Sequence, residues 1–365
     1  MFSPETIEYL KKAILEGRVS RGPADLQILP TTRCNASCIF CPTSAVSPAG
    51  KKQFAPRWLK PEMDINTGVL DRLADDLYRL GGLRRVHITG GEPLLFSKIG
   101  IMLFILRRTF PDVEISLVTN GILLERYAEM LALSGIARVS ISLNAADAKS
   151  FAAQTKTAGS NFEKVKRGIK LLRKARDKRP GKKPYLSITT VLNRGNFRNV
   201  EKMTKLAISS GADALTYLAL MDFPFPGETS REFALEQNEF DEFLEQLNNC
   251  RPLAEKRGIY LGFTGRVSDQ GKLRAGGLYK KIRCYSGYSF VMVWPDGTVR
   301  PCCNCDTPLG NLSEQSFYQI WTSEHAQKIR ERMLKITELG APDSCDCLEC
   351  GYLYENQEYH RLIGK

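Results

Sequence analysis

Three cysteines, Cys34, Cys38 and Cys41, stand in the spacing C-x3-C-x2-C. Three thiolates in one loop can hold three corners of an iron–sulfur cube and leave its fourth iron open. Structural zinc asks for four ligands, and no fourth Cys or His lies close by. A partial zinc knuckle or simple buried thiols are the alternatives. A second group follows a β-type run: Val86-His87-Ile88-Thr89 leads into Gly90-Gly91-Glu92-Pro93. Paired glycines at a strand end let backbone approach a ligand closely, and a carboxylate with free carbonyls there suits an ammonium group. A third group lies late in the chain: Cys284, Cys302, Cys347 and Cys350, with Cys303, Cys305 and Cys345 beside them.

These groups need elements to carry them. Strand-type runs at 25–29, 85–89, 114–119, 138–143, 186–192 and 214–220 are almost continuously apolar, as strands covered on both faces should be. Helical patterns separate them at 67–80, 99–110, 123–134, 161–178 and 199–210, with another at 238–257. Six β-α units predict an α/β fold, a partial (β/α)6 parallel barrel with right-handed crossovers, too few to close eight strands. Its site should lie at the C-terminal strand ends, where the first two groups fall. Beyond it, strands at 289–294 and 298–302 flank the turn Pro295-Asp296-Gly297, and a helix at 316–334 precedes the Cys-rich tail. The expected division is an N-terminal extension over 1–23, the barrel over 24–260, a Gly-containing linker over 261–283 and a small Cys-rich unit over 284–365.

Composition narrows the class. The chain has 365 residues, 43% hydrophobic and 25% charged, which fits a globular protein with a real core. The longest apolar run, 99–106, is far short of a membrane span, and the N-terminus has no apolar signal core. A cytoplasmic protein with no membrane partner is expected. Eleven cysteines, an odd number, argue against a disulfide framework. The net charge of +12 gathers between 163 and 183, where eleven Lys/Arg face one Glu and one Asp. That run reads as the solvated face of a surface helix. A nucleic-acid patch is disfavoured because no aromatics interleave with the cations.

With C-x3-C-x2-C, Phe40 just before the last cysteine, and GGEP at the end of the second strand, the chain resembles the radical S-adenosylmethionine (SAM) enzymes. The resemblance spans roughly residues 24–260. It implies a [4Fe–4S] cluster on Cys34, Cys38 and Cys41, whose open iron takes the amino and carboxylate groups of SAM. It implies SAM contacts from Gly90, Gly91 and Glu92, from Ser142 and Asn144 after the fourth strand, and from Phe40 near the adenine. Thr119, Asn120 and Asn193 are weaker carry-overs. The tail, Cys284-x17-Cys302-x44-Cys347-x2-Cys350, resembles the appended SPASM or shorter twitch domains. The C-x5-C-x3-C run of the full seven-cysteine pattern is absent. One auxiliary [4Fe–4S] cluster on those four cysteines is therefore implied, with Cys303, Cys305 and Cys345 as spare or alternative ligands. A second cluster and a zinc ribbon stay open.

The family implies reductive cleavage of SAM to a 5′-deoxyadenosyl radical, hydrogen abstraction from substrate, and a flavodoxin- or ferredoxin-type electron donor. The tail spacing is similar to dehydrogenases of the 2-deoxy-scyllo-inosamine type, so oxidation of a sugar, cyclitol or amino-sugar alcohol to a ketone leads. Peptide or protein modification, as in maturases of ribosomal peptides, is an alternative. So is epimerisation with a cysteine (Cys303, Cys305, Cys345 or Cys250) as hydrogen donor. Asp222, Glu228 and Arg231, after the sixth strand, are candidate catalytic residues, though surface charges explain them as well. His87 reads as a satisfied core histidine, and Tyr285 and Tyr288 as packing for the auxiliary cluster. A zinc-binding nucleic-acid module is the non-enzymatic alternative.

Overall fold

The computed structural model describes residues 4–41, 62–220, 233–265, 280–342, 344–345, 347 and 350–364. Its strands are β1 (Asp25–Ile28), β2 (Arg85–Ile88), β3 (Glu114–Thr119), β4 (Arg138–Ser142), β5 (Tyr185–Leu192), β6 (Ala214–Ala219), β7 (Tyr260–Thr264), β8 (Phe290–Val293), β9 (Thr298–Arg300) and β10 (Gly310–Asn311). The helices are α1 (Pro4–Glu16), α2 (Thr67–Leu80), α3 (Ile99–Thr109), α4 (Leu124–Leu133), α5 (Ala148–Thr155), α6 (Ser160–Asp177), α7 (Val200–Ser210), α8 (Gln237–Lys256), α9 (Ser286–Ser289), α10 (Phe317–Thr322), α11 (Glu324–Leu334), α12 (Ile336–Leu339) and α13 (Leu353–Ile363). Strands β1 to β7 run parallel in sequence order, with helices between them. This is a mixed α/β fold with a parallel sheet, consistent with a partial barrel and a C-terminal Cys-rich region.

The helix ends follow local chemistry. At the start of α2 the Asn66 side chain accepts from the Gly68 N–H. Its buried face, Leu70, Leu73, Ala74 and Leu77, repeats at helical spacing. It stops at Gly81, whose φ of 66° suits only a residue without Cβ. The single helix expected over 316–334 is two, because Ser323 breaks it and accepts from the Ala326 N–H to start α11.

Two features depart from the expected division. Residues 260–264, at the supposed barrel–linker border, form a seventh parallel strand on β6. Its short, partly exposed run (Tyr260 is 58% exposed) carries a weak strand signal. The hairpin β8–β9 is not set apart either: β8 pairs parallel with β1 from Asp25↔Phe290 to Ile28↔Val293. All four residues of β8 are buried, and pairing covers the β1 edge that the open barrel would otherwise leave bare. Of the basic run, Arg176 is 3% exposed and bonded to Asp213, while Arg167 pairs with Glu125 and Arg173 with Asp177. Among the described residues no helix is long and apolar enough to cross a membrane.

Candidate active site and auxiliary cysteine chamber

The Cys34–Cys41 loop leaves the C-terminal end of β1 and is pinned from both sides. On one side, the Ser37 and Ile39 N–H groups donate to the carbonyls of Thr155 (2.9 Å) and Gln154 (3.0 Å) at the end of α5. On the other, Gly91 N–H donates to Thr31 (3.1 Å) and Glu92 N–H to Arg33 (2.7 Å). The two glycines are required by this approach. Gly90 has φ 134°, and a Cβ on Gly91 would lie 2.1 Å from the Arg33 carbonyl oxygen. Here the close neighbour of the glycines is the backbone that leads into the cysteines.

Glu92 is fully buried, and both carboxylate oxygens accept. Oε1 takes Leu94 N–H (3.0 Å) and the Thr119 hydroxyl (2.7 Å), and Oε2 takes Asn120 N–H (2.7 Å). Burial nonetheless raises its pKa above the usual carboxylate range. Asn120 in turn donates from Nδ2 to Asn35 (2.7 Å) and toward the Cys34 sulfur (3.8 Å). Cys34, Glu92, Thr119 and Asn120 therefore form one bonded group. Further along the loop the Cys41 N–H donates to the Cys38 carbonyl. Phe40 is half-buried in that turn.

The remaining SAM-site candidates divide. Ser142 is half-buried at the end of β4. Asn144 is buried and accepts from Val191 N–H (2.7 Å), tying the end of β4 to β5. Asn193 is buried; its Nδ2 donates to Val191 O and Gln154 Oε1, and its Oδ1 accepts from Gly195 N–H. Asn193 thus acts on the cysteine loop through Gln154. Asp222, Glu228 and Arg231 lie outside the described residues, as do Gly271, Gly276 and Gly277.

The strands below this loop have two unlike faces. Leu26, Ile28, Val86, Ile88, Leu117, Val139 and Ile141 are buried on one, under the helices. On the other, Gln27, His87, Ser116, Ser140, Thr189 and Thr216 are half-buried. Register links them: His87 faces Ser116 and Thr189 faces Thr216. Parallel barrels usually fill that interior with branched apolar side chains. His87 Nδ1 meets the Ser116 hydroxyl at 2.9 Å. Burial, then the neighbouring Arg85, lowers the His87 pKa to about 4, so the ring is neutral at pH 7.

The second cysteine group lines one cavity. Cys284, Cys302, Cys347 and Cys350 border it, with Cys305 and Cys345 at its wall and Ile282, Met333, Ile336 and Pro342 as apolar lining. N–H groups reach the sulfurs: Asn304 N–H to Cys302 (3.4 Å) and Asn356 Nδ2 to Cys350 (3.5 Å). Four thiols, an apolar wall and N–H donors to sulfur fit a thiolate-held iron–sulfur cluster. Among the described residues, no three His, Cys, Asp or Glu form a group for a single metal ion. Cys305 and Cys345 form a bridge and are joined as a disulfide. They stand 40 positions apart in the sequence, side by side on the wall of this chamber. Cys303 points at Gly351, and Cys250 is buried in α8. Tyr285 and Tyr288 are buried, their hydroxyls at His360 and Gln327.

Sequence reading missed Asn35, Gln154, Asn356 and Ser116, the partner that satisfies His87. Alternation along the strands is the signal that could have shown the pair: Ser and His at every second position of otherwise apolar strands.

The Radical SAM superfamily profile matches residues 28–207, and the SPASM iron–sulfur cluster-binding domain matches residues 284–351. A probable GTP 3′,8-cyclase of Archaeoglobus fulgidus is 34% identical over 164 residues, 43% of this chain and 47% of that protein. GTP 3′,8-cyclase 2 of Mycobacterium tuberculosis is 36% identical over 140 residues, 38% of this chain and 36% of that protein. The chain thus spans half or less of the curated relatives it matches. Among solved structures, anSMEcpe with bound AdoMet superposes with TM-score 0.63 at 19% identity, over 94% of this chain and 99% of that one. Streptococcus suis SuiB bound to S-adenosylmethionine gives TM-score 0.63 at 17% identity, over 97% and 78%. At these identities the likeness is one of fold.

Proposed function

Because the chain belongs to the radical SAM superfamily and carries a SPASM iron–sulfur domain, we propose that it is a radical SAM oxidoreductase that oxidises an alcohol of a small hydroxyl-rich substrate to a ketone. Cys34, Cys38 and Cys41 would hold the SAM-binding [4Fe–4S] cluster, with Gly90, Gly91, Glu92, Asn120 and Ser142 around SAM. Bound and reduced, the cofactor pair supplies a 5′-deoxyadenosyl radical able to take a hydrogen atom from an unactivated carbon. Cys284, Cys302, Cys347 and Cys350 would hold the auxiliary [4Fe–4S] cluster.

The observation that carries the substrate class is the polar lumen. Gln27, His87, Ser116, Ser140, Thr189 and Thr216 offer amide, imidazole and hydroxyl groups, with Val118, Val191 and Leu218 on the same face nearer the strand ends and Arg85 at the opposite end. Such a surface satisfies hydroxyls and suits a neutral polyol or cyclitol better than an apolar side chain or a polyanion. His87 is neutral and braced by Ser116. In this reading its neutral ring hydrogen-bonds a substrate hydroxyl and orients it, since a ring that titrates at about 4 is too weak a base to take that proton. The GTP 3′,8-cyclases share less than half of this chain, so their nucleotide substrate is not carried over.

The test is anaerobic reconstitution followed by reaction with SAM, dithionite and a panel of cyclitols and amino sugars deuterated at the carbinol carbon, with deuterated peptides alongside. Deuterium should appear in 5′-deoxyadenosine together with a ketone. Cys34→Ala/Cys38→Ala/Cys41→Ala should abolish 5′-deoxyadenosine, and activity surviving that change would sink the radical SAM assignment. Deuterium transfer without ketone would replace oxidation by epimerisation, and transfer only from peptides would remove the polyol reading.

A further inference from the structure

Asn356 is 3% exposed on α13, six residues after Cys350. Its Oδ1 accepts from the Tyr285 N–H at 2.8 Å. That bond fixes the plane of the amide. Its Nδ2 then lies 3.5 Å from the Cys350 sulfur and 3.9 Å from the Cys284 sulfur. A buried amide N–H must find an acceptor, and the ones this side chain finds are two sulfurs. Its neighbour one turn on, His360, meets the Tyr285 hydroxyl at 3.4 Å. The stretch reads Cys350-x5-Asn356-x3-His360, the spacing of a longer cysteine run with an amide and an imidazole in place of thiols. An amide donates to sulfur where a cysteine would ligate.

We propose that Asn356 is a positioning residue that sets the reduction potential of the auxiliary cluster, by donating both amide N–H groups to the Cys350 and Cys284 thiolates. The proposal rests on the ligand set proposed above. Adding an electron to a cluster places further negative charge on its sulfurs, and N–H donors stabilise that form more than the oxidised one. The donors therefore raise the potential and make the cluster a readier electron acceptor. That direction serves an enzyme that must draw an electron from a substrate radical. It also explains why Tyr285, directly after the ligand Cys284, uses its backbone N–H to hold the Asn356 oxygen.

The measurement is an EPR-monitored redox titration in the Cys34→Ala/Cys38→Ala/Cys41→Ala background, where only the auxiliary cluster contributes, with iron and sulfide quantified in each sample. Asn356→Leu should keep the iron and lower the potential by about 59 mV, a tenfold change in a one-electron equilibrium. Asn356→Asp keeps the acceptor for Tyr285 but removes the donors, and should shift in the same direction. Pulsed EPR of the same background with side-chain ¹⁵N-labelled asparagine should show a weakly coupled nitrogen that Asn356→Asp removes, which separates it from Asn304 on the same wall. Full iron with an unmoved potential, or no such nitrogen coupling, overturns the role of Asn356 alone. Absence of iron from the triple variant overturns the ligand reading and this proposal with it.

Discussion

At the scale of single residues, the active site is set by how closely two backbones meet. A Cβ on Gly91 would sit 2.1 Å from the Arg33 carbonyl oxygen and 2.6 Å from its carbon, one residue before Cys34. Neither atom is the tip of a flexible side chain. Gly91→Ala is expected to cost about 3 kcal/mol, the upper range for overpacking, and to move Cys34 so that iron content falls. Gly100 is the control, since a Cβ there meets nothing within 4 Å and the residue is exposed in α3. Gly100→Ala should be neutral or stabilising by up to about 1 kcal/mol. Denaturation midpoints and iron content check both. Equal behaviour of the two variants would refute the contact argument. The cysteine triplet and GGEP were legible because their spacing along the chain is itself the chemical requirement. Asn35, Gln154 and Asn356 were not, because each acts on a residue far away. Asn35 meets Asn120 across 85 residues, and Asn356 meets Cys284 across 72.

At the scale of elements, apolar periodicity located the six expected strands and the main helices within a residue or two, because each buries one continuous face. The basic run on α6 and just after it is the solvated face the sequence suggested, with one exception: Arg176 is buried and binds Asp213, 37 residues on. Asp213 also accepts from Leu186 N–H at 2.7 Å. The Arg176 guanidinium reaches the Pro184 carbonyl at 3.1 Å. One carboxylate thus ties the end of α6 to the starts of β5 and β6, the strands that bear Thr189 and Thr216. Removing it takes the two-pronged partner from a buried guanidinium and leaves it only Asp177 at 3.1 Å and the Pro184 carbonyl, so Asp213→Ala should destabilise by about 3 kcal/mol. Urea unfolding measures this, and a loss below about 1 kcal/mol, the range of exposed pairs, would show that the pair is not structural.

At the scale of the whole molecule, the Cys-rich region is built into the barrel sheet. Ladder rules alone do not tell which edge a late hairpin will take, which is why the sequence suggested two units. In the structure β8 extends β1 on the side opposite β2, and three further ties secure it. Trp321 Nε1 donates to the Arg21 carbonyl at 2.7 Å. The Tyr352 hydroxyl donates to Asp25, the first residue of β1. Arg85, the first residue of β2, bonds Asp25 at 2.6 Å and Glu355 on α13 at 3.0 Å. The helix that carries Asn356 is therefore anchored to the two strands whose far ends lead to Cys34 and to Gly90. Both cysteine sites then share one rigid frame, which fits an electron path between them better than a tethered pair of domains would. The cluster-free chain should unfold in a single transition. In a Trp58→Phe background, fluorescence of Trp294 and Trp321, both buried in the C-terminal part, should coincide with far-ultraviolet circular dichroism, which reports mostly the barrel. Tyr352→Phe, which removes one hydroxyl from Asp25, should lower both midpoints together, a loss of about 1–2 kcal/mol in unfolding free energy. If the tryptophan transition separates and alone moves with Tyr352→Phe, the two parts are independent folding units, and the shared frame is refuted.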